Sequence, residues 1–235
     1  MSKSTALSTQ LVASTDKLPA HLKAVENDQR GNENVGMNVT IPRINLLQKM
    51  SSEVDKHNSK YIKGAEPGCF MNTLTQKIYG EEIYCINLIV DTVWEGKRKF
   101  EFGGGLLGTH PTRAACQESI DAQDRPEQWE NVETHRHLIL IKNPETGELD
   151  ETPAVFDMSA SKIRTSKHWN SQIVMQGGPR FSSLWKLSSR HTESKTGNTF
   201  VVLEVDLMGW AQEADYKLAE EVYGNIADSI KDIVL

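Results

Sequence analysis

The chain has 235 residues, 38% of them hydrophobic and 25% charged, with a formal net charge of −6. That length allows one substantial core plus extended arms, and the mild acidity excludes a binder that is basic over its whole surface. Three cysteines, Cys69, Cys85 and Cys116, form no C-x-x-C pair, which excludes a zinc ribbon or a disulfide framework and points to a reducing compartment.

Residues 1–40 are rich in Ser, Thr, Asn, Asp and Gly and hold too little apolar surface to offset the entropy of ordering, so they predict a flexible arm. No signal-peptide or membrane-length apolar run occurs, so the expected location is the cytoplasm, with no membrane partner. After "IPRINLLQKMS" the texture changes. "GCFMNTL" and "EEIYCINLIVDTVW" predict a strand and a long, bent central strand, and "KRKFEF" a strand paired next to it. The acidic stretch Thr109–Glu133 reads as a loop or frayed helix, followed by strands at "HRHLILIK" and "TPAVFDMS".

"SASKIRTSKHWNSQIVM" predicts a helix, with Ser159 as N-cap and Ile163, Ser166, Trp169 and Ile173 on one side. "GGPR" ends it. "FSSLWKLSSR" and "TFVVLEVDLM" predict a closing hairpin, and Leu218, Val222, Ile226 and Ile230 recur every fourth residue on an amphipathic C-terminal helix. The element order fits a mainly β, α+β protein: an OB-fold-like five-strand barrel with an internal helix over residues 41–210, then the helix of 211–235. An α+β sandwich with the same order stays open.

Charge is segregated along the chain. From Ala160 to Phe200 seven cations (Lys162, Arg164, Lys167, Arg180, Lys186, Arg190 and Lys195) face one anion, Glu193. From Glu118 to Asp157 eleven acids face three cations. Aromatics interleave the cations: Trp169, Phe181 and Trp185 in the basic half, and Trp94, Phe100 and Phe102 around Lys97, Arg98 and Lys99. Single-strand binders need both parts, because cations track phosphates while aromatic faces stack on bases without demanding a sequence. A solvated surface that happens to cluster is the competing explanation, and for Trp169 and Trp185 a place in the core.

Sharper chemistry finds less support. "GGGLLG" lacks the Gly-Lys-Ser/Thr of a phosphate loop and the helix that must follow it. His135 and His137 share a strand face, yet no third ligand stands at a metal-binding spacing, so an exposed strand face is the reading and no cofactor is expected. Ser166 and its neighbours lack a nucleophile elbow, and Cys85 reads as core. No enzyme is expected.

Taken together, "PRINLLQKMS", "IKGAEPGCFMNTLTQKIYG", "VDTVWEGKRKFEFGGGLLGTH", "VETHRHLILI" and "MSASKIRTSKHWNSQI" resemble tailed-phage single-stranded DNA-binding proteins. The set comprises Pro42, Arg43, Gln48 and Ser51; Gly68, Asn72, Thr73, Leu74, Thr75 and Tyr79; Trp94 with Gly103–Gly105; and Lys167, His168, Trp169 and Asn170. The resemblance implies an OB-like core, a role in phage DNA replication or recombination, and no catalysis. Many such proteins end in an acidic tail, often with a terminal aromatic, that recruits polymerases; "ADSIKDIVL" has acids but no such peptide, so recruitment through a tail is not expected.

The resulting expectation is a protein that coats single-stranded DNA with little sequence preference. Lys97, Arg98, Lys99, Lys162, Arg164, Lys167, Arg180, Lys186 and Arg190 are its phosphate contacts, and Trp94, Phe100, Phe102 and Trp185 its stacking platforms. Phage replication or recombination proteins are the expected partners. A homo-oligomer, DNA versus RNA, a phage structural or interaction module, and a ring-forming annealing recombinase all stay open.

Overall fold

The computed structural model describes residues 40–143, 145–193, 197 and 199–230. The arm expected over residues 1–40, apart from Thr40, lies outside them, as do residues 231–235, the side chain of Ile230, and Lys195. Among the described residues nine strands and three helices follow in chain order. The strands are β1 (Ile44–Leu46), β2 (Phe70–Asn72), β3 (Ile78–Gly80), β4 (Glu82–Arg98), β5 (Leu106–His110), β6 (Trp129–Ile141), β7 (Ala154–Ser159), β8 (Ser183–Glu193) and β9 (Thr199–Trp210). The helices are α1 (Arg113–Asp121), α2 (Ile163–Gln176) and α3 (Glu213–Ile230).

β4 organises the molecule. This 17-residue strand pairs with β6 from Cys85 to Arg98 along one edge, while the other edge is shared by β8 at Glu82–Ile86 and β5 at Trp94–Lys97. The large antiparallel sheet runs β7-β6-β4-β8-β9, and β1-β2-β3 form a second, small one. The α+β, mainly β class therefore holds, but the expected five-strand barrel does not close, because the edge strands β7 and β9 do not pair. The small sheet spans the gap instead. At one end Arg43 bridges Val155 of β7; at the other the Gln48 side-chain amide exchanges two hydrogen bonds with the Val201 backbone of β9, at 3.2 and 3.3 Å.

The two faces of the large sheet are covered separately. On one, α2 sets Trp169 and Ile173 against Cys85, Ile139, Phe156, Met158, Trp185 and Leu187. On the other, Leu218, Ala219, Val222 and Ile226 of α3 pack with Ile86, Leu88, Leu138, Leu140 and Phe181. Each fully buried large apolar side chain stabilises the fold by about 1.5–3 kcal/mol relative to exposure. The Trp169 and Trp185 rings meet edge to face, with centroids 6.0 Å apart.

Two local readings need correction. "KRKFEF" is not a strand of its own: β4 runs through Arg98, and Phe100–Phe102 form a tight 3-10 turn. The stretch after Thr109 is better ordered than its polarity suggests. Thr112 accepts a hydrogen bond from the Ala115 amide and starts α1, whose Cys116 and Ile120 are buried.

Candidate nucleic-acid interface

Side chains alternate between the two faces of a strand, so Lys97, Arg98 and Lys99 cannot act together. Lys97 shares a face with Glu95 and pairs with it at 2.8 Å. Arg98 goes to the α1 side, where it donates to Gln128 Oε1 at 2.7 Å. Lys99 leaves the strand and donates to the Glu127 carbonyl at 2.8 Å.

Behind Lys97 lies an alternating ladder of charge. Arg43 pairs with Asp157, Asp157 with Arg136 Nε at 3.0 Å, and Arg136 with Glu95 Oε1 at 3.0 Å. Thr134 also donates to Glu95, at 2.8 Å. Burial opposes charge on Glu95, but the hydrogen bonds from Lys97 and Thr134 and the charges of Lys97 and Arg136 outweigh it and hold the carboxyl below its usual range. The ladder ends open into a groove of about 470 Å³ bounded by Arg43, Lys97, Lys162, Gly105 and Leu106, with Glu95 and Asp157 at its base. Burial lowers the Lys162 pKa; Asp157 opposes this and Lys97 adds to it by like-charge repulsion. Arg43, Lys97 and Lys162 line the groove with the two carboxylates, and the buried Arg136 lies behind them, so positive charge is in excess.

At the hairpin tip, Phe100 is 79% exposed and Phe102 38%. Gly103 to Gly105 all have positive φ, and at φ 134° Gly105 adopts a conformation that side-chain-bearing residues rarely reach. The tip turns there and brings Gly105 and Leu106 to the groove.

The remaining expected residues disperse. Arg164 is exposed on α2, beside His168 and Leu203–Asp206, with no ion-pair partner among the described residues. Lys167 reaches Glu133 at 3.7 Å. On β8, Lys186 and Arg190 pair with Asp206 and Glu204 of β9, so the acids of one strand offset the cations of its neighbour. Summing charge along the chain concealed that match. Trp185 requires outright correction: it is fully buried and offers no face to a base. Trp94 is partly buried beneath the Arg113 guanidinium, 5.7 Å above its ring, whereas Trp210, unremarked in the sequence, is 60% exposed. Arg43, within the "PRINLL" motif, was not expected at this groove, because its partner Asp157 comes from β7.

Arg180 serves a different assembly. Its NH1 donates to Asn87 Oδ1 at 3.1 Å and its NH2 to Asn170 Oδ1 at 2.8 Å. Asn87 continues to His137 Nδ1 at 2.9 Å, His137 Nε2 to Ser166 Oγ at 2.7 Å, Ser166 to His135 Nδ1 at 2.7 Å, and His135 Nε2 to Glu133 at 3.0 Å. Trp169 stacks on the His137 ring at 4.7 Å. Ser166 is completely buried, so this series offers no nucleophile to a substrate. Among the described residues no group of three or more His, Cys, Asp or Glu stands ready to hold a metal ion, and no helix is long and apolar enough to cross a membrane.

Fold and groove together define a mainly β α+β protein with a cationic groove beside an aromatic tip. The chain belongs to the Pam3 phage gp34-like protein family, whose model matches residues 9–230, and so to a family of phage proteins. No curated protein and no solved structure matches it.

Proposed function

We propose that this phage protein binds single-stranded nucleic acid with little sequence preference, serving phage DNA replication or recombination. The observation that carries the reading is the convergence of Arg43, Lys97 and Lys162 on one groove at the foot of a hairpin whose tip exposes Phe100 and Phe102. A phosphate entering the groove relieves the repulsion between Lys97 and Lys162, and the adjacent bases stack on the phenyl rings. The groove carries a modest charge excess, so it suits a few phosphates rather than a long polyanion track.

The test is titration of the protein with fluorescein-labelled oligo-dT at low and high salt, followed by anisotropy. Binding that weakens steeply with salt and exceeds binding to duplex supports the proposal. Equal or tighter binding to duplex, or none to either, rejects it.

A further inference from the structure

A cleft lies away from that groove. About 630 Å³ in volume, it is lined by Leu88 and Ile89 of β4, Pro179 and Phe181 of the turn after α2, and Tyr223 of α3. Arg180 is the one charged residue that lines it, and its guanidinium is held by Asn87 and Asn170. Its two acceptors, the amide oxygens of Asn87 and Asn170, are neutral, and no carboxylate pairs with it among the described residues. Of its five N–H groups, three remain after those two bonds. Burial pushes its pKa down to about 10, the mark of a cation that has lost water without gaining an anion.

Apolar surface continues around the cleft. Trp210 is 60% exposed and its ring lies against Gly178, next to Pro179. Tyr223, which lines the cleft, is 39% exposed. A small molecule filling the cleft leaves that rim wet, whereas a protein partner covers both. Trp, Tyr and Arg are also the residue types that dominate binding energy at protein interfaces.

The geometry points to a docking site for a partner protein that inserts an acidic side chain, flanked by aliphatic residues, against Arg180, with its flanks on Phe181, Trp210 and Tyr223. Asn87 and Asn170 hold the guanidinium in place before the partner arrives, so little ordering is left to do on binding. This surface is independent of the groove at Lys97 and Lys162.

The probe is acetyl-Leu-Asp-Leu-Leu-amide, titrated into the ¹⁵N-labelled full chain to millimolar concentration. Shifts are expected at Leu88, Ile89, Arg180, Phe181 and Tyr223, with at least tenfold weaker binding for the Asn-containing counterpart peptide. Arg180→Lys keeps the charge and loses the fork; because it also disturbs Asn87 and Asn170, Trp210→Ala, at a side chain 60% exposed, provides a second route and should weaken binding severalfold with the melting temperature unchanged. Absence of binding, or equal binding of the Asn peptide, overturns the proposal. So does displacement of the peptide by oligo-dT, which assigns the cleft to nucleic acid, and so does a concentration-dependent dimer abolished by Trp210→Glu, which assigns it to a second copy of the chain.

Discussion

Nε2 of His137 and Oγ of Ser166 lie 2.7 Å apart in the closed layer between the large sheet and α2, and the direction of that hydrogen bond is fixed from a distance. Arg180 has only donors, so the Asn87 oxygen must face it and the Asn87 amide nitrogen must face His137. His137 Nδ1 then accepts, its Nε2–H donates to Ser166, the Ser166 hydroxyl donates to His135 Nδ1, and His135 Nε2–H donates to Glu133. Every polar group along the series is satisfied in one direction only. Long-range ¹H–¹⁵N correlation at neutral pH should show His137 as the Nε2–H tautomer. Ser166→Ala strips His137 of its acceptor and His135 of its donor, and should cost about 1–3 kcal/mol for each buried group left unpaired, read from urea midpoints. An Nδ1–H tautomer at His137 disproves the assigned direction.

The same burial makes stability depend on pH. Desolvation, with the charges of Arg180 and His135, pushes the His137 pKa down to about 3 from an ordinary value of 6.5. Between those values the unfolded chain binds a proton that the folded chain refuses, so stability is complete above about pH 6.5 and falls as pH drops toward 3. The expected slope from this residue is about 1.4 kcal/mol per pH unit. Carboxylates titrate over part of the same range, so the useful quantity is the difference from His137→Gln, which keeps a hydrogen-bonding side chain without the proton. The variant's stability should fall less steeply between about pH 6 and 4.5, and parallel curves would remove His137 as the cause.

Element type was largely legible in the sequence, and contact across elements was not. Leu218, Val222 and Ile226 recur at helical spacing and do pack on the core, while the alternating apolar residues of β8 and β9 read correctly as a hairpin. The missed features depend on what faces what. Glu204 and Asp206 offset Arg190 and Lys186 because the two strands pair, a fact absent from any count along the chain. Gln48 and Asn72 looked like signature residues; in space Gln48 ties the small sheet to Val201, and Asn72 Oδ1 accepts from the Leu74 and Thr75 amides to hold a turn. His135 and His137 do share one face, but that face is buried rather than exposed, at 6% and 0%, because α2 covers it and supplies the serine between them.

Gly68 shows how closely the small sheet's loop meets the large sheet. Its φ is 99°, and a Cβ there would lie 2.9 Å from Ser189 Oγ and 3.0 Å from His191 Nε2. Gly68→Ala therefore incurs both backbone strain, about 1–2 kcal/mol, and displacement of two β8 side chains. A drop in melting temperature with a native circular dichroism spectrum is expected, whereas Gly64→Ala, with φ 90° but open space around the site, should show the backbone cost alone. Equal losses for the two variants refute the close approach.

Strand alternation separates the roles of Lys97 and Arg98 in the proposed groove. Lys97→Glu and Lys162→Glu should weaken oligo-dT binding and reduce the salt slope by about 0.7 for each phosphate no longer neutralised. Arg98→Ala should instead act on stability, by removing the bond to Gln128, and leave the slope unchanged. Arg164→Glu, on an exposed part of α2 away from the groove, is the control for net charge. A loss of affinity equal for Arg164 and Lys97 would mean that bulk charge, not the groove, attracts the strand.

Phe100 and Trp185 set the last contrast, between an aromatic ring at the surface and one in the core. At 79% exposure Phe100 contributes little to folding, so Phe100→Ala should leave the melting temperature nearly unchanged and cost about 1–3 kcal/mol of binding if a base stacks on it. Trp185, fully buried against Trp169, should behave oppositely: Trp185→Ala costs about 3–5 kcal/mol of stability through the cavity it leaves. The milder Trp185→Phe, which still folds, should bind oligo-dT as the parent does. If Phe100→Ala binds with unchanged affinity while Trp185→Phe does not, the strand is held somewhere other than the hairpin tip, and the groove beside Lys97 loses its aromatic half.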